Sequence, residues 1–369
     1  MLRRITLFLF LLFASSIVFA QDEAITITAY RVAYVYEGPG ITYPQIDALR
    51  VGLPVQVVER NRIGNWLRIQ RIYQDEVILD GWVLTGYLNY QPDLLFSEIL
   101  VSDLADAMPE NIVSESLSTI YAQAIIPTLS DAMIAVYENG QTLGNRRDAI
   151  TKIGDSNMVS DGFMTLFSDE RTILGSYEYL EETLHFYRDS TAEVSVATDI
   201  GLTSYVVFDP MWADDERCHM NETPLACEYR LKRPSVAFIH FGHNDVRVMD
   251  EEAYNGQIRL VIEESIESGV IPVLMTFSNH EDDKLFWQGV NLNLELISLA
   301  QEYDVPLINL WSASRHLPDY GLDIDNVHLT FSGFSYLKYD TGHDAFYGVS
   351  LQNLLVLRTL HEIHETLEL

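Results

Sequence analysis

The stretch "SVAFIHFGHND", residues 235–245, decides how the second half of this chain is read. Its apolar run shows no polar alternation, so an extended segment here must be buried on both faces. The run then ends on Gly-His-Asn-Asp. Three further runs behave alike: "AITKIGDSN" at 149–157, "GVIPVLMTFSNH" at 269–280 and "VPLINLW" at 305–311. Helical spacing of apolar residues fills two of the gaps, at 250–268 and 285–303. Short apolar strands alternating with helices predict a parallel sheet covered on both faces. Ligands of such folds sit at the carboxyl ends of the strands, and there three runs place polar residues: "GDSN", "GHND" and "SNH".

Ser156 follows the first run directly. A serine there serves either as a helix cap or turn or as a nucleophile. The second role needs a base, an acid to orient the base, and donors for an oxyanion. The base must be a histidine. His361 and His364, in "HEIHE", lie near the end of a C-terminal helical pattern, where a solvated or dipole-complementing role suffices. His240 and His243 are three apart, and in a strand they face opposite sides. Joint metal ligation by them is not expected unless the strand ends between them. His328 lies in "DIDNVHLTFSGF", between the last apolar run and a helical pattern predicted from near Gly333. Asp323 and Asp325 precede it, and a carboxylate close by can hold an imidazole in the tautomer that accepts a serine proton. Asn244, just past a strand end, offers a neutral amide donor, or alternatively closes an Asx turn. Gly201, in "ATDIGLTSY", offers an uncrowded backbone amide, although several other glycines would serve.

In this order the blocks resemble the SGNH hydrolases, or GDSL-type esterases. They read Gly154-Asp155-Ser156, Gly201, Gly242-His243-Asn244-Asp245 and Asp325-Asn326-Val327-His328. The resemblance spans residues 126–369. It implies a three-layer α/β/α fold of flavodoxin-like type with a Ser156–His328–Asp325 triad. The implied oxyanion donors are the Ser156 and Gly201 amides with the Asn244 side chain; no metal and no cofactor is implied. Reach also favours Asp325 over Asp323, because Asp-x-x-His closes in one tight turn. One departure stands out: Asn157 occupies the position where the family name has leucine. No G-x-S-x-G elbow occurs, so the other large esterase fold finds no support.

Upstream, residues 24–90 read as short strands between turns, which predicts a small barrel. The order "VYEGPGITYPQIDALRVGLPVQVVER…NWLRI…DGWVLTGYL" resembles bacterial SH3-like domains through Gly38, Pro39, Gly52, Trp66, Gly81, Trp82 and Val83. Tyr36 stands where that family often has arginine. Trp66 and Trp82 are expected in the core. Residues 94–108 and 114–140 carry helical spacing and predict a connector. The expected organisation is a signal peptide at 1–20, the SH3-like domain at 21–91, a helical connector at 92–125 and the hydrolase domain at 126–369. All four site blocks lie beyond Asp148, so the barrel is expected to be dispensable for a small soluble ester.

Residues 1–20 combine "MLRR", an apolar core and Val18-Phe19-Ala20, the pattern of a signal peptide cleaved after Ala20. An uncleaved anchor is the alternative, but the run is short for a spanning helix. The chain has 369 residues with 23 basic and 54 acidic, a formal charge of −31, which excludes nucleic acid as a partner. Its two cysteines, Cys218 and Cys227, read as a disulfide in an exported protein. Closing that short loop contributes roughly 2–3 kcal/mol in the chain-entropy model.

These features lead to the expectation of a secreted serine esterase acting on an ester substrate, an acylated glycan or lipid, with cell-wall attachment through the SH3-like domain. Two alternatives stay open: an acyltransferase of the same fold, and a non-catalytic wall-binding protein.

Overall fold

A computed structural model of the chain describes residues 25–89, 99–102, 114–159, 162–334 and 336–369. The expected signal peptide lies outside the described residues. Among them, no helix is long and apolar enough to cross a membrane.

The first unit is an antiparallel sheet of six strands: β1 (Thr26–Thr28), β2 (Ala33–Tyr36), β3 (Gln45–Leu49), β4 (Pro54–Arg60), β5 (Trp66–Tyr73) and β6 (Glu76–Leu84). Their spatial order is β1-β4-β5-β6-β2-β3. Alternation decides what faces inward. Val55 and Val57 of β4 join Val35, Leu67, Ile69 and Val83 in one apolar core.

The expected connector helix at 94–108 lies partly outside the described residues, and the described part is not helical. Residues 99–102 run extended beside the end of β4. The Arg60 amide donates to Leu100 O at 2.9 Å and Ser102 N donates to Arg60 O at 2.9 Å. Ile99 is buried in the barrel core. Unpaired backbone groups at a strand end outweighed the helical spacing here. The pattern at 114–140 does fold, as α1 (Glu115–Ala122) and α2 (Asp131–Leu143), broken near Pro127 and restarted by the Ser130 cap. Ile120 and Ile125 are buried in the core of the second unit, so its packing starts upstream of residue 126.

That second unit is built on a parallel sheet of β7 (Ile150–Gly154), β8 (Val236–His240), β9 (Ile271–Met275) and β10 (Leu307–Ile308). All five residues of β7, β8 and β9 are buried, as the continuous apolar runs require. A parallel bridge from Gly154 to Thr198 adds a fifth position outside β7. The chain therefore leaves β7 to one side and returns across it to β8. This is the flavodoxin-like strand order, and its direction reverses between β7 and β8. On one face α6 (Glu251–Glu267) lies beside α7 (Phe286–Tyr303), joined by Asn255 to Glu295 at 2.6 Å. The Tyr229 and Ser265 hydroxyls, 2.6 Å apart, tie α5 (Pro224–Lys232) to α6. After β10 comes the short α8 (Leu310–Ser314), and the other face carries α4 (Glu181–Thr191) and α9 (Gly348–Thr366), as right-handed crossovers dictate. The result is a three-layer α/β/α fold preceded by a small all-β barrel.

Two local expectations need correction. Among the described residues no α-helix begins near Gly333; two 3-10 turns follow, at Tyr339–Thr341 and His343–Ala345, and the next long helix starts at Gly348. The intervening segment packs instead against the barrel, where Trp66, Trp82 and Leu84 form one apolar cluster with Ala345 and the half-buried Phe346. Both tryptophans are core residues, as expected, but of the seam between the units. Arg62 donates to Tyr121 O at 3.0 Å, and Arg358 donates to the carbonyl of Ile63. The histidines of "HEIHE" are packed rather than free in solvent: the half-buried His361 meets the Thr183 hydroxyl at 3.0 Å, and the buried His364, in the last turn of its helix, packs its ring on Phe186.

Candidate active site

Gly154 ends β7 with φ +154°, and a Cβ there would lie 2.2 Å from the carbonyl oxygen of His240. Only glycine lets β7 and β8 approach so closely at this point. The chain turns at once into a single helical turn, α3 (Ser156–Val159). Ser156 thus stands at the carboxyl end of β7, beside the reversal of strand order.

The structure brings Ser156, His328 and Asp325 into one line. Ser156 Oγ is 2.9 Å from His328 Nε2, and His328 Nδ1 is 2.5 Å from Asp325 Oδ2. The neutral ring that fits donates from Nδ1 to the carboxylate and accepts the serine proton at Nε2. The other oxygen of Asp325 accepts from the amides of Val327 and His328, both at 2.9 Å. Partial burial pushes this carboxyl up. The hydrogen bond from His328 and the two amides outweigh that and hold it down at about 2. Asp323, the competing acid, accepts from its neighbour Ile324 N at 2.7 Å.

Asn244 is half-buried just past β8, and its amide donates to Leu202 O at a long 3.3 Å. This contact sets it against the loop that carries Gly201. Gly201 is exposed with φ +81°, and nothing lies within 4 Å of where its Cβ would be. Pairing holds that loop to the end of β7: Gly154 N donates to Ala197 O at 3.1 Å and Asp199 N to Gly154 O at 3.3 Å.

Buried carboxylates support the frame. Asp245 accepts from the Ser204 amide and hydroxyl at 2.8 and 2.5 Å, and from Gly242 N at 3.1 Å. It thereby clamps the Gly201 loop to the "GHND" turn. Asp155 accepts from Asn157 N at 3.0 Å, while burial raises its carboxyl to about 7. β8 does end at His240, the condition left open above. The His240 and His243 rings stand edge to face 5.7 Å apart, and both are buried. Burial lowers them to about 3 and about 4, so both rings are neutral near pH 7. Among the described residues, the one grouping of metal-ligating type is Cys218, Glu222 and Cys227. The two sulfurs there are joined in a disulfide, so they offer no thiolate.

Sequence reading missed the work of Asn157, Asp155 and Asp245. A signal existed at Asn157: a polar residue directly after the serine, where the resembling family has leucine. Buried and 4% exposed, it reaches residues 170 and more positions away.

Residues 31–89 match the bacterial SH3 domain family. A search of curated protein sequences returns no match. The chain is similar in structure to a GDSL-like lipase from Bacteroides thetaiotaomicron (13% identity, TM-score 0.38, covering 63% of this chain and 98% of the lipase). It is also similar to an acetylxylan esterase from Geobacillus stearothermophilus (17% identity, TM-score 0.38, 58% and 95%). A third similar structure is the lipase/acylhydrolase from Enterococcus faecalis (19% identity, TM-score 0.36, 57% and 93%).

Proposed function

We propose that this chain is an exported serine esterase of the SGNH type, hydrolysing carboxylic esters through an acyl-enzyme on Ser156. One observation carries the reading: the continuous line Ser156 Oγ–His328 Nε2 at 2.9 Å and His328 Nδ1–Asp325 Oδ2 at 2.5 Å.

Ser156 Oγ bonds to the ester carbonyl carbon as His328 Nε2 takes the hydroxyl proton, and the carbonyl electron pair moves onto oxygen. Asp325, ionised above about pH 2, stabilises the imidazolium so formed. The Ser156 and Gly201 amides and the Asn244 side chain are assigned to the oxyanion. Collapse breaks the bond to the alcohol oxygen, which leaves with the proton from His328. Water then repeats the sequence on the acyl-enzyme, releasing the acid and restoring Ser156.

The site is open, with the His328 and Asp325 side chains 49% and 47% exposed. Export is supported by the Cys218–Cys227 bridge and by the bacterial SH3 domain. With that domain present, an acyl group on an envelope or environmental glycan is the proposed substrate, and the barrel is proposed to attach the enzyme to wall material.

The test is incubation with a short-chain chromogenic ester, with and without a serine-directed phosphonate, followed by mass analysis of peptides. Hydrolysis blocked by an adduct on Ser156 supports the proposal. No hydrolysis, or an adduct elsewhere, overturns it.

A further inference from the structure

The peptide groups around His328 are held on two sides. On the first, His328 N donates to Asp325 Oδ1 at 2.9 Å, and His328 O accepts from Asp323 N at 2.8 Å. On the second, both partners belong to the side chain of Asn157. Its Nδ2 donates to Val327 O at 3.1 Å, and its Oδ1 accepts from Leu329 N at 3.2 Å. The side-chain amide thus stands where a neighbouring strand's peptide group would.

The orientation of this amide is determined by its surroundings. His243 Nε2 lies 2.9 Å from Ser278 O, which can only accept, so Nε2 carries the ring proton. Nδ1 of the neutral ring is then an acceptor, and it faces the second hydrogen on Asn157 Nδ2 at 3.4 Å. Both donors and the acceptor of Asn157 are matched, and Asp155 anchors its backbone amide. Leucine at this position would fill the space and supply none of the side-chain bonds.

We infer that Asn157 is a positioning residue, whose side-chain amide seats the backbone of His328 so that the imidazole meets Ser156. The inference rests on the esterase reading above. It links two groups 172 residues apart through the nucleophile's own neighbour. Freed of this strap, the loop would hold His328 by its acidic turn alone, and a displacement of about 1 Å between reacting groups can cost on the order of 10²-fold in rate.

The experiment compares the wild type with Asn157→Leu and with Asn157→Asp, which keeps the shape and the acceptor but loses the donor. Two readouts are used: kcat and KM on a short-chain ester, and the His328 Nδ1 proton resonance in ¹⁵N-histidine-labelled protein. The expected result is a loss of about 10² in kcat with KM within about twofold, together with an upfield shift or broadening of that resonance. Unchanged kcat with an unmoved resonance overturns the inference, as does a rise in KM alone, which would make Asn157 a substrate contact. If Asn157→Leu does not fold, Asn157→Asp decides by the same criteria. If the wild type neither hydrolyses esters nor takes a phosphonate adduct, the esterase reading falls. The resonance then decides the strap by itself: moved in the variants it stands, unmoved it does not.

Discussion

Asp325 Oδ2 lies 2.5 Å from His328 Nδ1, while Asp323, two residues earlier, turns a carboxylate oxygen to the amide of Ile324. The two acids are near in sequence and unequal in space. Asp325→Asn keeps the shape and removes the charge that favours the imidazolium. Its expected effect is a drop on the order of 10⁴ in kcat, whereas Asp323→Asn should cost far less. Steady-state kinetics on both variants, with circular dichroism to check folding, decides this. A large loss at Asp323 with little at Asp325 would reverse the assignment.

Ser156→Ala should lower kcat by about 10⁴ or more with the fold intact, as expected when the nucleophile of a cooperative triad is removed. Asn244→Ala should cost less, about 10²–10³ in kcat. The Asn244 amide holds only a long 3.3 Å bond, to the carbonyl of the buried Leu202. Retention of most activity by Ser156→Ala would refute the nucleophile.

The barrel holds none of the four site blocks, but it is not packed as an independent module. Its Trp66–Trp82 cluster closes over Ala345 and Phe346, in the segment that runs on from His328. A Cβ at Gly86 would lie 2.4 Å from the Tyr339 carbonyl oxygen across the same seam. Gly86→Val is therefore expected to destabilise the protein by about 1–3 kcal/mol through overpacking, read as a lower urea midpoint. Deleting residues 21–91 should lower Tm and, contrary to the expectation from the sequence, reduce small-ester activity. Undiminished activity and Tm in the deletion would show the seam to be inert.

Burial raises Asp155 to about 7 from an ordinary value near 3.8, and its Oδ2 has no hydrogen-bond partner. Between those pH values the folded protein keeps a proton that the unfolded chain has released. This group's contribution to stability therefore falls as pH rises across that window and is flat above it. Asp155→Asn keeps the acceptor for Asn157 N and should flatten the decline, although Asp245, also raised by burial, leaves part of it. Denaturant titrations of both proteins at pH 5, 6, 7 and 8 test this. Parallel curves would show that Asp155 does not titrate there.

Much of this protein was legible in its sequence because the signals are local. Unbroken apolar runs could only be strands buried on both faces, and they gave β7, β8 and β9 within a residue or two. Helical spacing gave α6 and α7 almost to their ends. The approach of Asp325 to His328 followed from three residues of chain and one tight turn. What tertiary structure alone decided are the contacts across long separations. Asn157 meets the peptides on either side of His328 because the strand order brings the end of β7 under that loop. Residues 336–347 form two 3-10 turns, Tyr339–Thr341 and His343–Ala345, in place of a long helix, and the barrel covers Ala345 and Phe346 of that segment. His361 and His364 lie on the face of α9 that α4 covers, which half-buries the first and buries the second. Periodicity records which face of an element is apolar, and the partner that covers that face is chosen only when the layers assemble.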